Sequence, residues 1–273
     1  MRGEKTRLTL AEQTRFVLRA VALVLALLVF VPLHYLYRIF RYGSPFPMWF
    51  LGTAGWICGA RVERFGTPLR RDVFFIANHV SWIDILVLAG ASGTAFVAKQ
   101  ELSEVPVIGW LCSLNRTVFV KRENRMGVAE QIDALREALA DNWSVTVFPE
   151  GTTTDNRSLL PFKTSLLSML EPPPPGVMVQ PVMLDYGAAG EEIGWVGDES
   201  GLNNARRVLG RRGSFPVRIQ FLEPFSPADH PGRKAIGAKA RGEIESALIA
   251  AVGPLRDFAH TVAPVRYVAP ERA

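Results

Sequence analysis

Cysteine and histidine are scarce in this sequence, with two cysteines and four histidines among 273 residues. Cys58 and Cys112 are too few for the disulfide framework of a small secreted protein. The sequence has no C-x-x-C pair and no Cys, His or carboxylate spacing typical of metal ligands, so we expect no bound metal. A domain that works in a reducing, cytoplasmic environment is the simpler interpretation.

The sequence also lacks internal repeats, low-complexity segments and a nucleic-acid-binding motif. Its net charge of +5 and pI near 9.5 suit an anionic partner, such as acidic lipid headgroups, a phosphorylated substrate or an acidic carrier. The basic residues are spread along the chain, which argues against a nucleic-acid partner. Hydrophobic residues make up 48% of the chain, enough to fill the core of one large domain with an appendage.

The first 60 residues are predicted to form the appendage, which would associate with a membrane. The basic segment 1–19 precedes the apolar segment 20–37, whose length is near the lower limit for crossing a bilayer. A second uncharged segment, 42–60, contains tryptophans of the kind found at membrane interfaces. We expect a helical pair that dips into one leaflet or forms a short transmembrane hairpin. A signal peptide is disfavoured because no small-residue cleavage site follows, whereas a helical pair buried on the domain remains an alternative.

From Arg61 onward, short apolar runs alternate with amphipathic stretches, a pattern typical of βαβ units. It predicts an α/β domain over residues 61–255, with a mixed, largely parallel sheet flanked by helices, followed by a tail over 256–273. The predicted strands lie near 73–77, 95–98, 118–120, 145–148, 177–183 and 217–221. The predicted helices lie near 83–88, 107–114, 127–140, 164–170 and 234–252. The polar stretch 193–209 could shape the donor site, but a surface loop is the simpler interpretation.

His79 follows the apolar strand 73–77, at the point where a buried strand turns into a helix. Asp84, five residues later, can accept the proton of one ring nitrogen while the other nitrogen faces the substrate. The pair is therefore predicted to be a general base and its orienting carboxylate. A packed, hydrogen-bonded histidine without a catalytic role is the common alternative.

Three further predicted strands have candidate functional residues at their ends or within them. Lys121 and Arg122 form either a solvated surface pair or a clamp for a phosphate. Gly151 permits a tight turn whose amides could hold an oxyanion or a substrate hydroxyl, with Glu150 orienting a bound polyol; an ordinary turn is the alternative. Pro181 inside the next strand indicates an edge strand or a bulge.

In order, the stretches NHVSWID, FVKR, FPEGT and VQPV resemble the four sequence blocks of the glycerolipid acyltransferases, a family that includes bacterial lysophosphatidate acyltransferases. The resemblance covers about residues 61–186. It implies transfer of an acyl group from an acyl thioester, on coenzyme A or acyl carrier protein, to the free hydroxyl of a lysolipid without a further cofactor. It also implies a lipid bilayer as partner, at the bacterial inner membrane with the active site facing the cytoplasm.

The resemblance implies that His79 takes the proton of the acceptor hydroxyl and that Asp84 holds its tautomer, so that no acyl-enzyme is required. Ser81 would start a helix. A lipid hydrolase or thioesterase with Ser81 as nucleophile is a less favoured alternative, because no G-x-S-x-G elbow is present. A non-catalytic lipid-binding protein is a third possibility, which the intact His79 and Asp84 argue against.

The other blocks are predicted to bind the substrates. Arg122 matches an arginine that the family uses toward the acceptor's phosphate, and Glu150 with Gly151 matches the pair that binds its glycerol part. Pro181 matches a proline on the acyl-donor side. The complete predicted acceptor set is Lys99, Lys121, Arg122, Glu150, Gly151, Thr152, Arg157 and Lys163.

Thr153 departs from the family pattern, since the third block usually continues Gly-Thr-Arg-Ser. The missing arginine weakens the argument for a phosphate monoester acceptor, although Arg157, Lys163 or Lys99 could supply the charge. The Gly-Thr-Thr form also resembles a bacterial subgroup that includes lyso-ornithine lipid acyltransferases, whose acceptor has an amino-acid headgroup. We expect 1-acyl-sn-glycerol-3-phosphate as the acceptor, with lyso-ornithine lipid as the alternative.

Overall fold

The computed structural model describes residues 7–40, 43–120 and 144–257 of the chain. It begins with two helices, α1 (Leu10–Phe40) and α2 (Phe46–Cys58). Thr9 and Glu12 fix the start of α1 reciprocally: the Glu12 carboxylate accepts the Thr9 N–H at 2.8 Å, and the Glu12 N–H donates to the Thr9 hydroxyl at 3.4 Å. The helix is longer than the apolar segment predicted from the sequence because it also includes basic residues on both sides of it.

A mixed sheet forms the centre of the domain that follows. Its strands are β1 (Ala60–Phe65), β2 (Val73–Ala77), β3 (Ala95–Lys99), β4 (Val118–Val120), β5 (Ser144–Val147), β6 (Met178–Asp185) and β7 (Phe215–Phe221). Within the described residues their order is β1-β7-β6-β2-β5-β3-β4. Neighbouring strands are parallel except β6 and β7, which are antiparallel. The predicted mixed, largely parallel sheet is therefore confirmed.

Helices flank this sheet, as predicted. They are α3 (Ile83–Ser92), α4 (Pro106–Leu114), α5 (Gly190–Ile193), α6 (Gly201–Gly210) and α7 (Arg233–Val252), with 3₁₀ turns at Gln100–Glu104, Thr164–Leu170, Gly187–Ala189 and Pro227–Asp229. The predicted helix over 164–170 is thus a 3₁₀ helix, and the one over 127–140 lies outside the described residues. Strand β1 was not predicted from the sequence. The surface-loop interpretation of 193–209 is wrong for its second half, which forms α6.

Alternate residues of β2 point to opposite faces of the sheet, and both faces are buried. Val73, Phe75 and Ala77 pack into the core that includes α3. Phe74 and Ile76 pack into a second core that includes α7. Because helices cover both faces, the strand is apolar along its whole length, as is usual for a central strand of a parallel sheet.

The N-terminal helices are attached to this domain at two places. Helix α2 lies so close to α3 that a Cβ on Gly90 would come within 2.5 Å of the Gly52 Cα. Helix α1 reaches the C-terminal end of α6, where Arg15 donates to the Gly210 carbonyl at 2.7 Å and Arg19 to the Leu209 carbonyl at 2.9 Å. Two of the basic residues that flank the apolar segment therefore bind the domain.

Pro181 lies in β6, between β2 and β7, so the edge-strand interpretation is wrong. The antiparallel pairing with β7 is interrupted at this point: Val182 pairs with Phe221, but Val179 pairs with Phe225. Two residues on β6 thus oppose three on the other side, which is the arrangement of a β-bulge. Proline is tolerated there because the ladder needs no N–H from it.

Candidate active site

Strands β2, β5 and β6 are parallel neighbours, so their carboxyl ends meet at one edge of the sheet. His79 follows β2, Glu150 follows β5, and Tyr186 directly follows β6. The imidazole of His79 stacks on Phe148, with ring centroids 4.1 Å apart, and its side chain remains 17% exposed. His79 is therefore held against the domain but can still be reached by a substrate.

Asp84 lies in hydrogen-bond contact with this histidine. Its Oδ2 lies 2.8 Å from His79 Nδ1 and also accepts the N–H groups of Val80 at 2.7 Å and Ser81 at 2.9 Å. An ionised carboxylate can only accept, so the shared proton resides on Nδ1, and in the neutral imidazole Nε2 then has the lone pair. Ser81 is buried, and its hydroxyl lies 3.5 Å from the Ile83 N–H at the start of α3, which gives no support to a serine nucleophile.

Tyr186 is a third member of this group that was not identified from the sequence. Its hydroxyl donates to Asp84 Oδ1 at 2.5 Å, and the side chain is fully buried. Burial and the negative charge of Asp84 both raise the pKa of Tyr186 well above its ordinary value, so the phenol remains a donor. Its position at the carboxyl end of a strand next to β2 is a signal that could have identified it.

The third-block turn holds the backbone of His79 on both sides. Glu150 Oε1 accepts the His79 N–H at 2.7 Å, and the Thr154 N–H donates to the His79 carbonyl at 2.8 Å. Glu150 Oε2 accepts the Leu160 N–H at 2.8 Å, and Gly151 has the positive φ of 74° that its tight turn requires. Glu150 is only 1% exposed, so its carboxylate is engaged with the protein; its predicted role toward a bound polyol remains a prediction.

Burial raises the pKa of Glu150 to about 8, and the charge of Asp84 acts in the same direction. The N–H groups of Leu160 and His79 oppose this shift by stabilising the carboxylate. The turn that supports the predicted base therefore contains a group that titrates close to neutral pH.

The predicted acceptor-binding cations lie in different parts of the structure. Arg157 donates to the Val252 carbonyl at 2.9 Å, so it binds the C-terminal end of α7. Lys163 has an exposed side chain, and its N–H donates to the Pro149 carbonyl at 2.8 Å, which places it beside the Glu150 turn. Lys99 ends β3, whereas Lys121 and Arg122 lie outside the described residues. The structure therefore brings Lys163 next to the predicted site but uses Arg157 elsewhere.

The segment after α5 also reaches the site, although the sequence favoured a surface loop over a part of the donor site. The Trp195 N–H donates to the Val80 carbonyl at 3.0 Å, next to His79. The Thr153 hydroxyl donates to the Trp195 carbonyl. Thr153 is thus buried at the position where the resembling family has arginine. In the described ranges, no group of three or more His, Cys, Asp or Glu side chains is arranged to hold a metal ion.

Comparison with known proteins identifies the family. A family model described as "Acyltransferase" matches residues 62–185. Lyso-ornithine lipid O-acyltransferase from Rhodobacter capsulatus is 30% identical over 256 residues, covering 88% of this chain and 92% of the relative. The chain belongs to the acyltransferase family. This confirms the resemblance drawn from the four sequence blocks, and the protein is an O-acyltransferase.

Other acyltransferases show how far the similarity extends. A lyso-ornithine lipid O-acyltransferase from Rhizobium meliloti is 37% identical over 195 residues, covering 66% of each chain. A 1-acyl-sn-glycerol-3-phosphate acyltransferase from Neisseria meningitidis serogroup B is 29% identical, covering 74% of this chain and 77% of the relative. The crystal structure of PlsC, the 1-acyl-sn-glycerophosphate acyltransferase of Thermotoga maritima, has the same fold: its TM-score is 0.62 at 22% identity, covering 87% of this chain and 96% of the other.

The relatives of this acyltransferase are lipid acyltransferases, and its helix α1 fits a lipid environment. Among the described residues, α1 is the one helix long and apolar enough to cross a membrane, and its apolar window is not buried by the domain. Together these observations indicate that the acyltransferase associates with membranes.

Proposed function

We propose that this acyltransferase moves a fatty acyl group from an acyl thioester to the free hydroxyl of lyso-ornithine lipid. The observation that carries the chemistry is the geometry around His79, whose Nδ1 is bound to the buried Asp84 at 2.8 Å and whose ring remains partly exposed. An imidazole held in this way can accept a proton through Nε2.

In the proposed reaction, His79 Nε2 removes the proton of the acceptor hydroxyl while its oxygen attacks the thioester carbonyl. The tetrahedral intermediate then collapses, the carbon–sulfur bond breaks, and the departing thiolate takes the proton from His79. The products are an ester and a free thiol, on coenzyme A or on acyl carrier protein. The positive charge that develops on the imidazole is balanced by Asp84, and no enzyme nucleophile takes part.

Thr153 favours lyso-ornithine lipid over lysophosphatidate as the acceptor. A buried threonine whose hydroxyl is bound to the Trp195 carbonyl cannot clamp a phosphate as an arginine would. Relatives that cover two thirds or more of this chain also carry the name lyso-ornithine lipid O-acyltransferase. Lysophosphatidate remains the second candidate, because Lys163 is exposed beside the Glu150 turn and other relatives are named for 1-acyl-sn-glycerol-3-phosphate.

Substitution of the base tests the mechanism. His79→Ala should lower kcat by about 10²- to 10⁴-fold, the usual contribution of a general base, while the melting temperature stays close to that of the wild type. His230→Ala, which removes a histidine packed on Phe225, is the matched control and should leave activity unchanged. Retention of more than a tenth of the wild-type activity by purified His79→Ala would exclude His79 as the base.

Ser81→Ala separates the proposed reaction from a serine hydrolase. The direct transfer mechanism predicts that this variant still esterifies the lysolipid, since the buried hydroxyl only meets the start of α3. A covalent serine adduct with an active-site probe in the wild type, lost in Ser81→Ala, would instead support the hydrolase.

An acceptor and donor panel tests the substrates. Detergent-solubilised protein should convert lyso-ornithine lipid faster than lysophosphatidate when both are offered at equal concentration and the products are identified by mass. Running each reaction with acyl-coenzyme A and with acyl carrier protein determines the donor. Exclusive use of lysophosphatidate would reject the proposed acceptor without rejecting the role of His79.

A further inference from the structure

The segment 194–200, which we name the Trp195 loop, joins two parts of the site that are far apart in sequence. The N–H of Trp195 binds the Val80 carbonyl, and its own carbonyl accepts the Thr153 hydroxyl. One residue of the loop therefore contacts both the segment that contains His79 and the turn that contains Glu150.

A buried ion pair keeps the Trp195 loop in place. Glu199 is 5% exposed and accepts Arg207 Nε at 3.0 Å and Arg207 Nη2 at 2.8 Å. Asn204 Nδ2 donates to the same carboxylate at 2.9 Å, while its Oδ1 accepts the indole N–H of Trp82 at 2.9 Å. A buried ion pair adds little net stability but fixes one arrangement of the groups around it. Hydrogen bonds thus connect the loop both to α6 and to the His79 segment.

The charge of this loop points to the kind of headgroup that it suits. The loop itself contains no cation, and Arg207, which contacts it from α6, is neutralised by Glu199 through two hydrogen bonds. Asp198 is exposed on the same loop, and Trp195 keeps part of its surface accessible. A phosphate monoester needs uncompensated cations, whereas an ammonium group can be accommodated near an aromatic ring and a carboxylate.

We infer that the Trp195 loop is a wall of the acceptor site that selects a lysolipid with an amino-acid headgroup, with Thr153 and Glu199 as its positioning residues. The inference rests on the proposed function and deepens it, because it assigns headgroup selection to Thr153, to the Trp195 loop and to Arg207. Thr153 acts through its hydrogen bond to the loop, and Glu199 acts by neutralising the charge of Arg207.

Thr153→Val tests the hydrogen bond from Thr153 to the Trp195 carbonyl, because valine keeps the shape of threonine and removes only the hydroxyl. We expect the KM for lyso-ornithine lipid to rise about tenfold, with kcat and the KM for the acyl thioester within twofold of the wild type. Thr153→Ser restores the hydroxyl and should bring the acceptor KM back to the wild-type value. Equal acceptor KM values for the Val and Ser variants, or equal rises in the KM of both substrates, would overturn the role of Thr153.

Glu199→Gln tests the charge independently of the first variant. It leaves Arg207 uncompensated, so the rate ratio of lysophosphatidate to lyso-ornithine lipid should rise about tenfold. Glu192→Gln is the control, since Glu192 pairs with Arg211 at 2.6 Å on the exposed surface, and it should not change the ratio. An unchanged ratio in Glu199→Gln would overturn the charge argument.

The wild-type protein separates failure of this inference from failure of the proposed function. If it acylates lyso-ornithine lipid but neither variant alters acceptor use, the proposed function stands. The assignment of the Trp195 loop to the acceptor site is then wrong. If it acylates neither lysolipid, the proposed function fails. If it prefers lysophosphatidate, the amino-acid headgroup is wrong, whatever the variants do.

Discussion

Asp84 is fully buried and has four hydrogen-bond donors. Its Oδ2 accepts His79 Nδ1 and two backbone N–H groups, and its Oδ1 accepts the Tyr186 hydroxyl. Hydrogen bonds to a buried charged group are stronger than neutral ones, and each one lost leaves charge that is poorly solvated. The carboxylate is therefore fixed in position before it orients the imidazole.

Tyr186→Phe should lower kcat about tenfold, because it removes the donor to Asp84 Oδ1 and so weakens the hold on the carboxylate that orients His79. The KM values of both substrates should change less than twofold, since the hydroxyl is buried behind Asp84. Steady-state kinetics of the purified protein measures the effect. Tyr35→Phe, which alters an exposed tyrosine on α1, is the matched control. An unchanged kcat in Tyr186→Phe would show that the three other donors suffice.

Glu150 makes the stability of the protein depend on pH. Burial raises its pKa to about 8 in the folded state, whereas an unfolded chain loses this proton near pH 4.3. Between these two pH values the folded state binds more protons than the unfolded state, so its stability falls as the pH rises and levels off above about 8. The melting temperature of the wild type should therefore fall relative to that of Glu150→Gln between pH 5.5 and pH 8.

Thermal unfolding of the two proteins at several pH values measures this difference. Glu243→Gln, which changes a carboxylate exposed on α7, should follow the wild type across the whole range. A constant gap between the wild type and Glu150→Gln would contradict the raised pKa.

The sequence predicted His79 and Asp84 correctly as neighbours because five residues at a strand-to-helix turn can bring two side chains together locally. It did not predict that Glu150 points inward. That orientation depends on the Leu160 N–H, which comes from a segment whose position is set by tertiary packing. Tyr186 was missed for a similar reason, since its partner lies 102 residues away in sequence.

At the level of elements, the attachment of α1 to α6 is the feature that local patterns could not reveal. The last carbonyls of a helix lack intrahelical donors and carry a partial negative charge. Arg19 donates to the carbonyls of Val208, Leu209, Arg211 and Gly213. From the sequence, this arginine was assigned to the flank of a membrane segment. An arginine beside an apolar run looks the same in sequence whether it lies at a membrane boundary or binds the end of another helix.

Arg19→Met should destabilise the protein by about 2 kcal/mol, because the methionine keeps the length of the side chain and leaves these carbonyls without their donor. Urea denaturation in detergent and limited proteolysis between α1 and α2 measure the loss. Arg38→Met, on the exposed far end of the same helix, should leave both unchanged. Equal stability of the two variants would show that the apolar contacts of α1 suffice to hold it.

Two elements escaped prediction because neither contains a continuous apolar run. Strand β1 is buried only at Ala60 and exposed over its other five residues, so it has no apolar run, and it is recognised only by its parallel partner β7. Helix α6 contains few apolar residues, and Val208 and Leu209 become buried only where other elements cover them. The central strands, by contrast, are buried on both faces and were predicted closely.

At the scale of the whole molecule, both ends of the α1–α2 hairpin are tied to the catalytic domain. The first turns of α1 bind α6, and α2 leads through Gly59 directly into β1. Phe30 of α1 packs on Phe46 and Phe50 of α2, at centroid distances of 6.4 and 6.2 Å. Helix α2 has 13 residues and is therefore about 20 Å long, shorter than the hydrocarbon core of about 30 Å.

We expect the hairpin to enter one leaflet and return, which leaves its turn near Ser44 inside the bilayer. A Ser44→Cys variant in a Cys112→Ser background tests this; Cys58 can stay because it is 1% exposed. In sealed membrane vesicles of either orientation, a membrane-impermeant maleimide should fail to label Cys at position 44 until detergent is added. Lys239→Cys, exposed on α7, is the control and should react only in inverted vesicles if the domain faces the cytoplasm. Labelling of position 44 from the face opposite to position 239 would show that the hairpin spans the bilayer.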